Sequence, residues 1–282
     1  MRALRADVVD AVWHAVEALI PQPVDNHPLG CHRPRVDDRT CFRGILIRLV
    51  TGCSWTTVEA LLDYAVSDTT LRARRNEWIT AGVFDHLVDQ ALNAYDRIVG
   101  LNLDDLCVDG SQHKAPCGGD GTGPNCTDKG RSGWKWSLAG DRWGIPIGWV
   151  SAPANRNDCK LVADTLDQII ERGLLVEVDT IHMDRGYDFD FVRNDCTTRG
   201  LTDVQILRRR TRHERRRRHK LPTPLGLRWT VERTNSWLTN FGQLRRNTDR
   251  RTEHRDAQLA LAITLILTIK LIDWRNRYSP IR

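Results

Sequence analysis

The stretch 133–151 has the sequence GWKWSLAGDRWGIPIGWVS, and the fold can be worked out from it. Residues 133–139 and 145–151 together are rich in Trp, Ile and Val, whereas 140–144 contain two Gly and an Asp. Aromatic and β-branched residues favour strands, and Gly with Asp favours a short connection between them. The stretch therefore predicts two antiparallel strands joined as a hairpin.

The segments on both sides of this hairpin predict further strands, and the later ones alternate with helices. An apolar run at 103–110 precedes the hairpin, and similar runs at 176–183 and 203–207 follow it. Helical patterns fill the intervals at 158–172 and 189–199. Hairpin-linked strands followed by strands that alternate with helices indicate an α/β fold with one mixed sheet flanked by helices.

The first hundred residues have a different character, because their apolar residues recur at helical spacing only. The sequence therefore predicts two domains with a boundary near residue 100. Residues 1–100 are expected to form an all-α, helix-turn-helix-like region that binds DNA. Residues 101–282 are expected to form the α/β domain.

Two short helices near residue 60 have helix-turn-helix proportions. Thr56 and Glu59 fit a capping box at the start of the first helix, and Ser67 is suited to cap the second. As in a helix that enters the major groove, the second helix is expected to present three basic side chains outward: Arg72, Arg74 and Arg75. A helical bundle whose polar face holds three Arg remains the alternative.

The positive charge of the chain is concentrated in one segment. The net charge is +6 and the pI is about 9.0. Residues 208–220 contain nine Lys or Arg and one Glu, a local charge of +8, so the remainder carries −2. A polyanionic partner is therefore expected at this run, which begins with Arg208, Arg209 and Arg210.

Two predicted strands end in an aspartate: Asp109 after 103–108 and Asp184 after 176–183. Ligand sites in open α/β sheets gather at the carboxyl ends of strands. A carboxylate placed there needs a partner that offsets its desolvation, and a divalent metal is one such partner. For either Asp alone, capping of the following turn is the favoured explanation.

Glu232 adds a third carboxylate on a predicted helix over 226–240. Its helix carries an apolar stripe and, beside it, a polar stripe of Arg228, Glu232, Asn235 and Thr239. Three carboxylates can hold two hard cations, and Mg²⁺ suits a site that must also accept phosphate oxygens. A surface salt bridge between Arg228 and Glu232 is the alternative explanation.

Three blocks containing these carboxylates resemble the catalytic blocks of DDE transposases, most closely those of the insertion-sequence-five family: VDGS at 108–111, HMDRGY at 182–187 and RWTVERTNSWL at 228–238. Between the first two, 122–125, 129–130 and 154–158 are also similar to that family, as is the segment 52–55. The resemblance covers nearly the whole chain.

The resemblance implies a ribonuclease-H-like core in which Asp109, Asp184 and Glu232 bind two Mg²⁺ ions, for which Mn²⁺ can substitute. It implies a transposase that binds the terminal inverted repeats of an insertion sequence and catalyses DNA cleavage and strand transfer. The implied partners are double-stranded DNA, as element ends and target, and a second copy of the chain. Two alternatives are a catalytically silent repressor and a ribonuclease-H-like nuclease without joining activity.

Several further basic or polar residues are predicted to contact DNA near such a site. They are Lys129, Lys135, Arg185, Arg228 and Asn235, in addition to the three Arg that begin the basic run and the three on the second short helix.

The cysteines and the apolar segments indicate an intracellular protein. Eight Cys occur without a CxxC pair, and the N-terminal residues do not resemble a signal peptide, so reduced thiols are expected. The longest apolar stretch, 259–269, is shorter than the roughly 20 residues of a membrane span. We therefore expect a cytoplasmic, nucleoid-associated protein without a membrane segment.

Overall fold

The computed structural model describes residues 4–22, 34–209, 213 and 227–278. The chain forms two compact units. One combines Met1–Val99 with Leu238–Arg282 and is called the helical unit below. The other, Gly100–Trp237, is called the sheet unit.

Within the described residues, the sheet unit contains one six-stranded sheet. Its strands are β1 (Asp105–Lys114), β2 (Gly123–Pro124), β3 (Ser132–Gly140), β4 (Pro146–Pro153), β5 (Thr180–Met183) and β6 (Asp203–Ile206). The main order is β4-β3-β1-β5-β6, and the short β2 pairs with the beginning of β3. Strands β1, β3 and β4 are antiparallel, whereas β5 and β6 run parallel to β1. The predicted fold class, an α/β fold with one mixed sheet flanked by helices and preceded by an all-α region, is confirmed.

The predicted hairpin is formed by β3 and β4, and a buried carboxylate organises its loop. Asp141 accepts hydrogen bonds from the backbone N–H groups of Trp143 (2.9 Å), Ile145 (2.7 Å) and Asn102 (3.1 Å). Burial raises the pKa of this carboxyl to about 6, although the three N–H donors act in the opposite direction. A loop that must satisfy a buried carboxylate in this way has little freedom to change conformation.

Among the residues that the structure describes, three helices of the sheet unit follow the hairpin: α6 (Val162–Glu171), α7 (Asp190–Thr198) and α8 (Trp229–Thr239). Helix α6 buries Val162, Leu166 and Ile169, and it packs against β3 and β4 because these apolar residues recur on one side of the helix. Helix α8 contacts the hairpin loop, where the Thr234 hydroxyl donates to the Gly144 carbonyl at 2.5 Å.

The described part of the helical unit contains α1 (Ala6–Glu17), α2 (Asp38–Thr51), α3 (Trp55–Leu61), α4 (Asp68–Thr80), α5 (Val83–Ile98), α9 (Gly242–Arg245) and α10 (Thr252–Tyr278). Helix α10 packs against α5, α1 and α4. Its residues Leu259–Leu267 are almost completely buried, because they are apolar on all sides.

Helix α10 is also long and apolar enough to cross a membrane by length and composition alone. In its most apolar window 67% of the residues are buried inside the protein, as in the core helix of a globular unit. Such a helix is weak evidence for a membrane span.

Three details differ from the sequence-based predictions. The capping box at Thr56 and Glu59 is wrong: α3 begins at Trp55, and the Ser54 side chain accepts from the Thr57 N–H. Strand β1 continues to Lys114, so Asp109 lies within the strand and not at its end. The prediction placed 238–282 in the α/β domain, whereas these residues pack into the helical unit because α10 needs the apolar faces of the other helices.

Candidate active site

Asp109 and Asp184 occupy neighbouring positions across two parallel strands. The pairing of β1 with β5 ends at Cys107 opposite His182, and each aspartate lies two residues farther along its strand direction. Neighbouring strands lie about 4.8 Å apart, so the register brings the two aspartates side by side. Asp184 directly follows β5, whereas β1 continues beyond Asp109 to Lys114.

The environment of Asp109 disfavours its charged form. Burial raises the pKa of its carboxyl to about 6; the Gly110 N–H and Arg228 lower it, and the Asp184 and Glu232 carboxylates raise it. The electrostatic influence of both other acids indicates that the three carboxylates share one neighbourhood.

A buried amide fixes one oxygen of Asp109. The Asn235 side-chain amide donates to Asp109 Oδ2 at 3.2 Å, and the Trp136 indole N–H donates to Asn235 Oδ1 at 2.8 Å. Asn235 is only 6% exposed, so the prediction that it contacts DNA from the surface is wrong. Asn235 thus links the buried Trp136 of the sheet to the Asp109 carboxylate through hydrogen bonds.

Asp184 caps a short 3-10 turn and accepts from the Gly186 N–H at 2.5 Å. The turn brings Tyr187 into the interior. Burial holds the pKa of the Tyr187 phenol well above its ordinary value, and the negative charges of Asp109, Asp158 and Asp184 act in the same direction. The phenol therefore stays protonated beside the acidic cluster.

Glu232 lies on α8 and remains partly exposed. It forms an ion pair with Arg228 at 3.0 Å, four residues earlier on the helix, and its side chain is 55% exposed. Within the described residues, no three His, Cys, Asp or Glu side chains are grouped closely enough to hold a metal ion. Glu232 therefore shares the neighbourhood of the two aspartates without forming a ready metal cage with them.

A partly buried ion pair next to Gly110 did not follow from the sequence. The Lys135 ammonium lies 2.8 Å from Asp158 Oδ1, and its side chain is 2% exposed. Asp158 also packs on Gly110, where an added Cβ would lie 2.3 Å from Asp158 Oδ1. Lys135 is therefore not a surface group, and its prediction as a phosphate contact is wrong. The family-like segment 154–158 was the available signal for Asp158.

The other predicted DNA contacts of the sheet unit lie on loops. Lys129 is exposed. Arg209 donates to the Arg185 carbonyl at 2.9 Å and stacks on Phe189, with its guanidinium carbon 3.8 Å from the ring centroid. Arg208 is exposed, and Arg210 lies outside the described residues, as do 211–212 and 214–220.

In the helical unit, two of the three Arg predicted to face outward on α4 are buried. Arg74 forms ion pairs with Asp38 and Glu77, and Arg75 lies 2.8 Å from Asp249. The prediction of an outward-facing arginine surface is therefore wrong for both. Arg72 is half exposed and pairs with Asp68 at 2.7 Å. The Ser67 cap of α4 is confirmed, because its hydroxyl accepts from the Thr70 N–H.

Two families match successive parts of the chain. Residues 8–88 match a family described as "Putative transposase of IS4/5 family", and residues 102–269 match "Transposase DDE domain". The second match alone covers more than half of the sequence.

Individual proteins give consistent results. A relative from Burkholderia cepacia, described as "Putative transposase for insertion sequence element IS402", is 37% identical over 151 residues, which is 51% of this chain and 67% of the relative. A second protein of that organism, "Insertion element IS402 uncharacterized 16.2 kDa protein", is 29% identical over 38% of this chain and 71% of its own length.

A solved structure of the Mos1 transposase paired-end complex with the left transposon end covers 84% of this chain and 87% of its own. Its TM-score is 0.26 and its sequence identity is 11%. The match to the DDE domain and the 37% identity to the first relative establish the family of this chain. The chain belongs to the DDE transposase family.

Proposed function

We propose that this protein is the enzyme that moves an insertion sequence: it binds the terminal inverted repeats, cuts the DNA there and joins the ends to a target. The observation that carries the proposal is the β1–β5 register, which ends at Cys107 opposite His182, two residues before Asp109 and Asp184. The effect of Glu232 on the pKa of Asp109 supports it as well. Membership of the DDE transposase family is a second line of support.

The donor chemistry of this site suits Mg²⁺, with Mn²⁺ as a substitute. Carboxylate oxygens are preferred ligands of hard divalent cations, and bound cations offset the repulsion between clustered carboxylates. We propose that Asp109, Asp184 and Glu232 hold two such ions. Because Glu232 is engaged with Arg228, it would have to leave that ion pair to join the aspartates.

When bound, two divalent ions activate the attacking oxygen and stabilise the leaving oxygen of a phosphodiester. The residues of the chain orient the ligands for this reaction. Asn235, held by the Trp136 indole, directs Asp109, and the Gly186 N–H directs Asp184. Because the ions would supply the chemistry and the protein would orient their ligands, no nucleophilic side chain of the protein is required.

The partner we propose is double-stranded DNA, as element ends and as target. Arg185, Arg228 and Lys129 are proposed phosphate contacts around the site, together with the basic run that begins at Arg208 and Arg209. Because both ends of an element must be handled together, we further propose that the protein acts as a homodimer on DNA.

The Arg228–Glu232 ion pair favours one alternative, a repressor that binds DNA without cutting it. An exposed pair four residues apart on a helix stabilises by only a few tenths of a kcal/mol. Cation binding by Glu232 can therefore displace Arg228 at little cost, which is why the transposase proposal is preferred.

The decisive experiment measures cleavage and joining of labelled DNA that carries the ends flanking this reading frame, with Mg²⁺ or Mn²⁺. Specific cleavage with joined products is expected for the wild type. Asp184→Asn should abolish both activities while it leaves DNA binding in place. Glu177→Gln is the matched control, because Glu177 is an exposed acid that precedes β5, at the opposite end of that strand.

Each other outcome has a definite meaning. Specific binding without cleavage under any cation would identify a repressor. Nicked DNA without joined products would identify a nuclease. Equal cleavage by Asp184→Asn and the wild type would show that the proposed metal site is wrong.

A further inference from the structure

A cationic cleft of about 530 Å³ lies on the helical unit, and the proposed chemistry makes no use of it. It is lined by the end of α2, by the start of α3, by α4, and by the segment from the end of α9 to the start of α10. Six arginines line it: Arg48, Arg72, Arg75, Arg246, Arg250 and Arg251. Asp249 is the single carboxylate among its described lining residues.

Two of these arginines form a rigid floor. Arg48 and Arg75 are 4% and 6% exposed, and their guanidinium carbons lie 4.6 Å and 5.2 Å from the centroid of the Trp55 ring. Arg48 also donates to the Cys53 carbonyl at 2.7 Å and to the Thr248 hydroxyl at 2.9 Å. Stacking and hydrogen bonds thus fix the orientation of both guanidinium groups.

The internal counter-charge does not balance these two cations. Asp249 Oδ1 faces Arg75 at 2.8 Å and Arg48 at 3.5 Å. Asp249 Oδ2 accepts from Gln243 at 3.0 Å and from Gln258 at 2.6 Å. One carboxylate with both oxygens occupied therefore serves two buried cations. An uncompensated buried charge is costly, and an external anion would reduce that cost.

Other charged groups nearby increase the positive character of the cleft. Burial lowers the pKa of the Arg75 guanidinium and so disfavours its charged form. Repulsion from Arg72 and Arg251 lowers this pKa further, whereas Asp249 raises it. Burial, with repulsion from Arg75, also lowers the pKa of His254 to about 4, although Asp249 and Glu253 oppose that shift. His254 is therefore neutral near pH 7, and its Nε2 accepts from the Arg75 guanidinium at 3.4 Å.

The rim carries cations that are available to a ligand. Arg246 and Arg250 are exposed, and neither is ion-paired within the residues that the structure describes. Arg72 and Arg251 are exposed too, but they pair with Asp68 and Glu253 at 2.7 Å and 2.8 Å. A fixed floor and a more open rim of the same charge suit an extended polyanion better than a small anion.

We propose that this cleft binds the phosphate backbone of duplex DNA, with Arg48 and Arg75 as its preset floor and Arg246 and Arg250 as direct phosphate contacts. This inference rests on the proposed function, because it assumes that the protein acts on DNA. It assigns to DNA binding a segment that follows the DDE residues in the sequence and packs with the N-terminal helices.

The test measures how the affinity of the full-length protein for duplex DNA depends on salt, with EDTA present so that cleavage does not interfere. The variant is the double substitution Arg246→Gln and Arg250→Gln. The control is Arg97→Gln with Arg275→Gln, which removes the same charge from exposed positions of the helical unit outside the cleft. Thermal melting establishes that both variants are folded.

The cleft variant should bind more weakly at every salt concentration. The slope of log affinity against log salt concentration should fall by about two, one for each lost phosphate contact. The control should keep the wild-type slope. Because the contacts are to the backbone, an unrelated duplex should show the same loss as a duplex with the element ends.

An unchanged slope in the cleft variant, or an equal loss in the control, would overturn the inference. If inorganic phosphate raised the melting temperature of the wild type only, and DNA binding were unaffected in the cleft variant, the cleft would be a small-anion site. These results leave the proposed function intact when the wild type still cuts element ends. Failure of the wild type to bind any duplex would overturn the proposed function itself.

Discussion

Asp109 combines a buried position with two acidic neighbours, and this combination is unfavourable for the stability of the cation-free protein. The pKa of its carboxyl is raised from 3.8 to about 6, mainly by burial. Its ionised form at neutral pH therefore costs folding free energy that a neutral side chain would not. A buried carboxylate that lowers the stability of the cation-free protein is typical of a cation-binding site.

Asp109→Asn should accordingly stabilise the protein at pH 7–8 in EDTA. The folded-state pKa lies above the unfolded value, so the contribution of Asp109 to stability is present below pH 4 and is lost as the pH rises through about 6. The expected gain is up to about 3 kcal/mol at pH 8 and should vanish near pH 4. Urea unfolding at both pH values measures it, and a gain that is equal at both would contradict the assignment.

Asn235 is expected to act as a positioning residue. Asn235→Ala would leave the buried Trp136 indole N–H without its acceptor, at a cost of roughly 1–3 kcal/mol. It should also lower cleavage about 10- to 100-fold and raise the Mn²⁺ concentration required for half-maximal cleavage. DNA affinity should stay unchanged. Ser236→Ala, an exposed change on the same helix, is the control; a purely structural role would shift stability but not the Mn²⁺ requirement.

At the scale of the elements, the sequence predicts most strands and helices because their patterns are local. The hairpin strands, the helices around them and the Ser67 cap all depend on neighbouring residues. The full length of β1 is not determined by neighbouring residues. Its continuation to Lys114 depends on pairing with β3, where Lys114 lies opposite Gly133. Gly110 lies within β1 and makes room for Asp158, which comes from a distant part of the chain.

The contact between the hairpin loop and α8 gives a prediction at the same scale. Gly144 has a φ of +76°, and a Cβ there would lie 2.7 Å from the Thr230 carbonyl oxygen of α8. Gly144→Ala should therefore destabilise the protein by roughly 2–4 kcal/mol, through backbone strain and displacement of the helix. Cleavage should fall as well, since α8 carries Glu232 and Asn235.

Gly173 provides the matched control for this substitution. It has a similar φ of +73°, but a Cβ there would meet nothing within 4 Å. Gly173→Ala should cost only about 1 kcal/mol, from backbone strain alone, and should leave cleavage unchanged. Urea midpoints of the two variants compare the effects directly. Equal losses would mean that the approach of α8 contributes nothing.

On the scale of the whole molecule, the helical unit is built from two segments that are far apart in the sequence. The chain leaves the helical unit at residue 99, forms the sheet unit, and returns at residue 238. Sequence patterns could locate the first crossing, where helical spacing gives way to strands. They could not locate the second, because α8 and α10 are both helices and only tertiary packing assigns α10 to the helical unit.

A smaller buried side chain on α10 should therefore destabilise the helices formed by the first hundred residues. Leu261 is 1% exposed and lies near Phe84 and Ile45 in the helical unit. Leu261→Ala should destabilise that unit by about 2–5 kcal/mol, because the smaller side chain leaves a cavity. In hydrogen exchange, amides of α2 and α5 should lose protection, whereas those of β1 and β3 should keep it. Leu166→Ala, a buried change on α6, should give the opposite pattern. If Leu261→Ala weakened the protection of both units equally, the two would unfold as one cooperative body, and α10 would not belong to the helical unit alone.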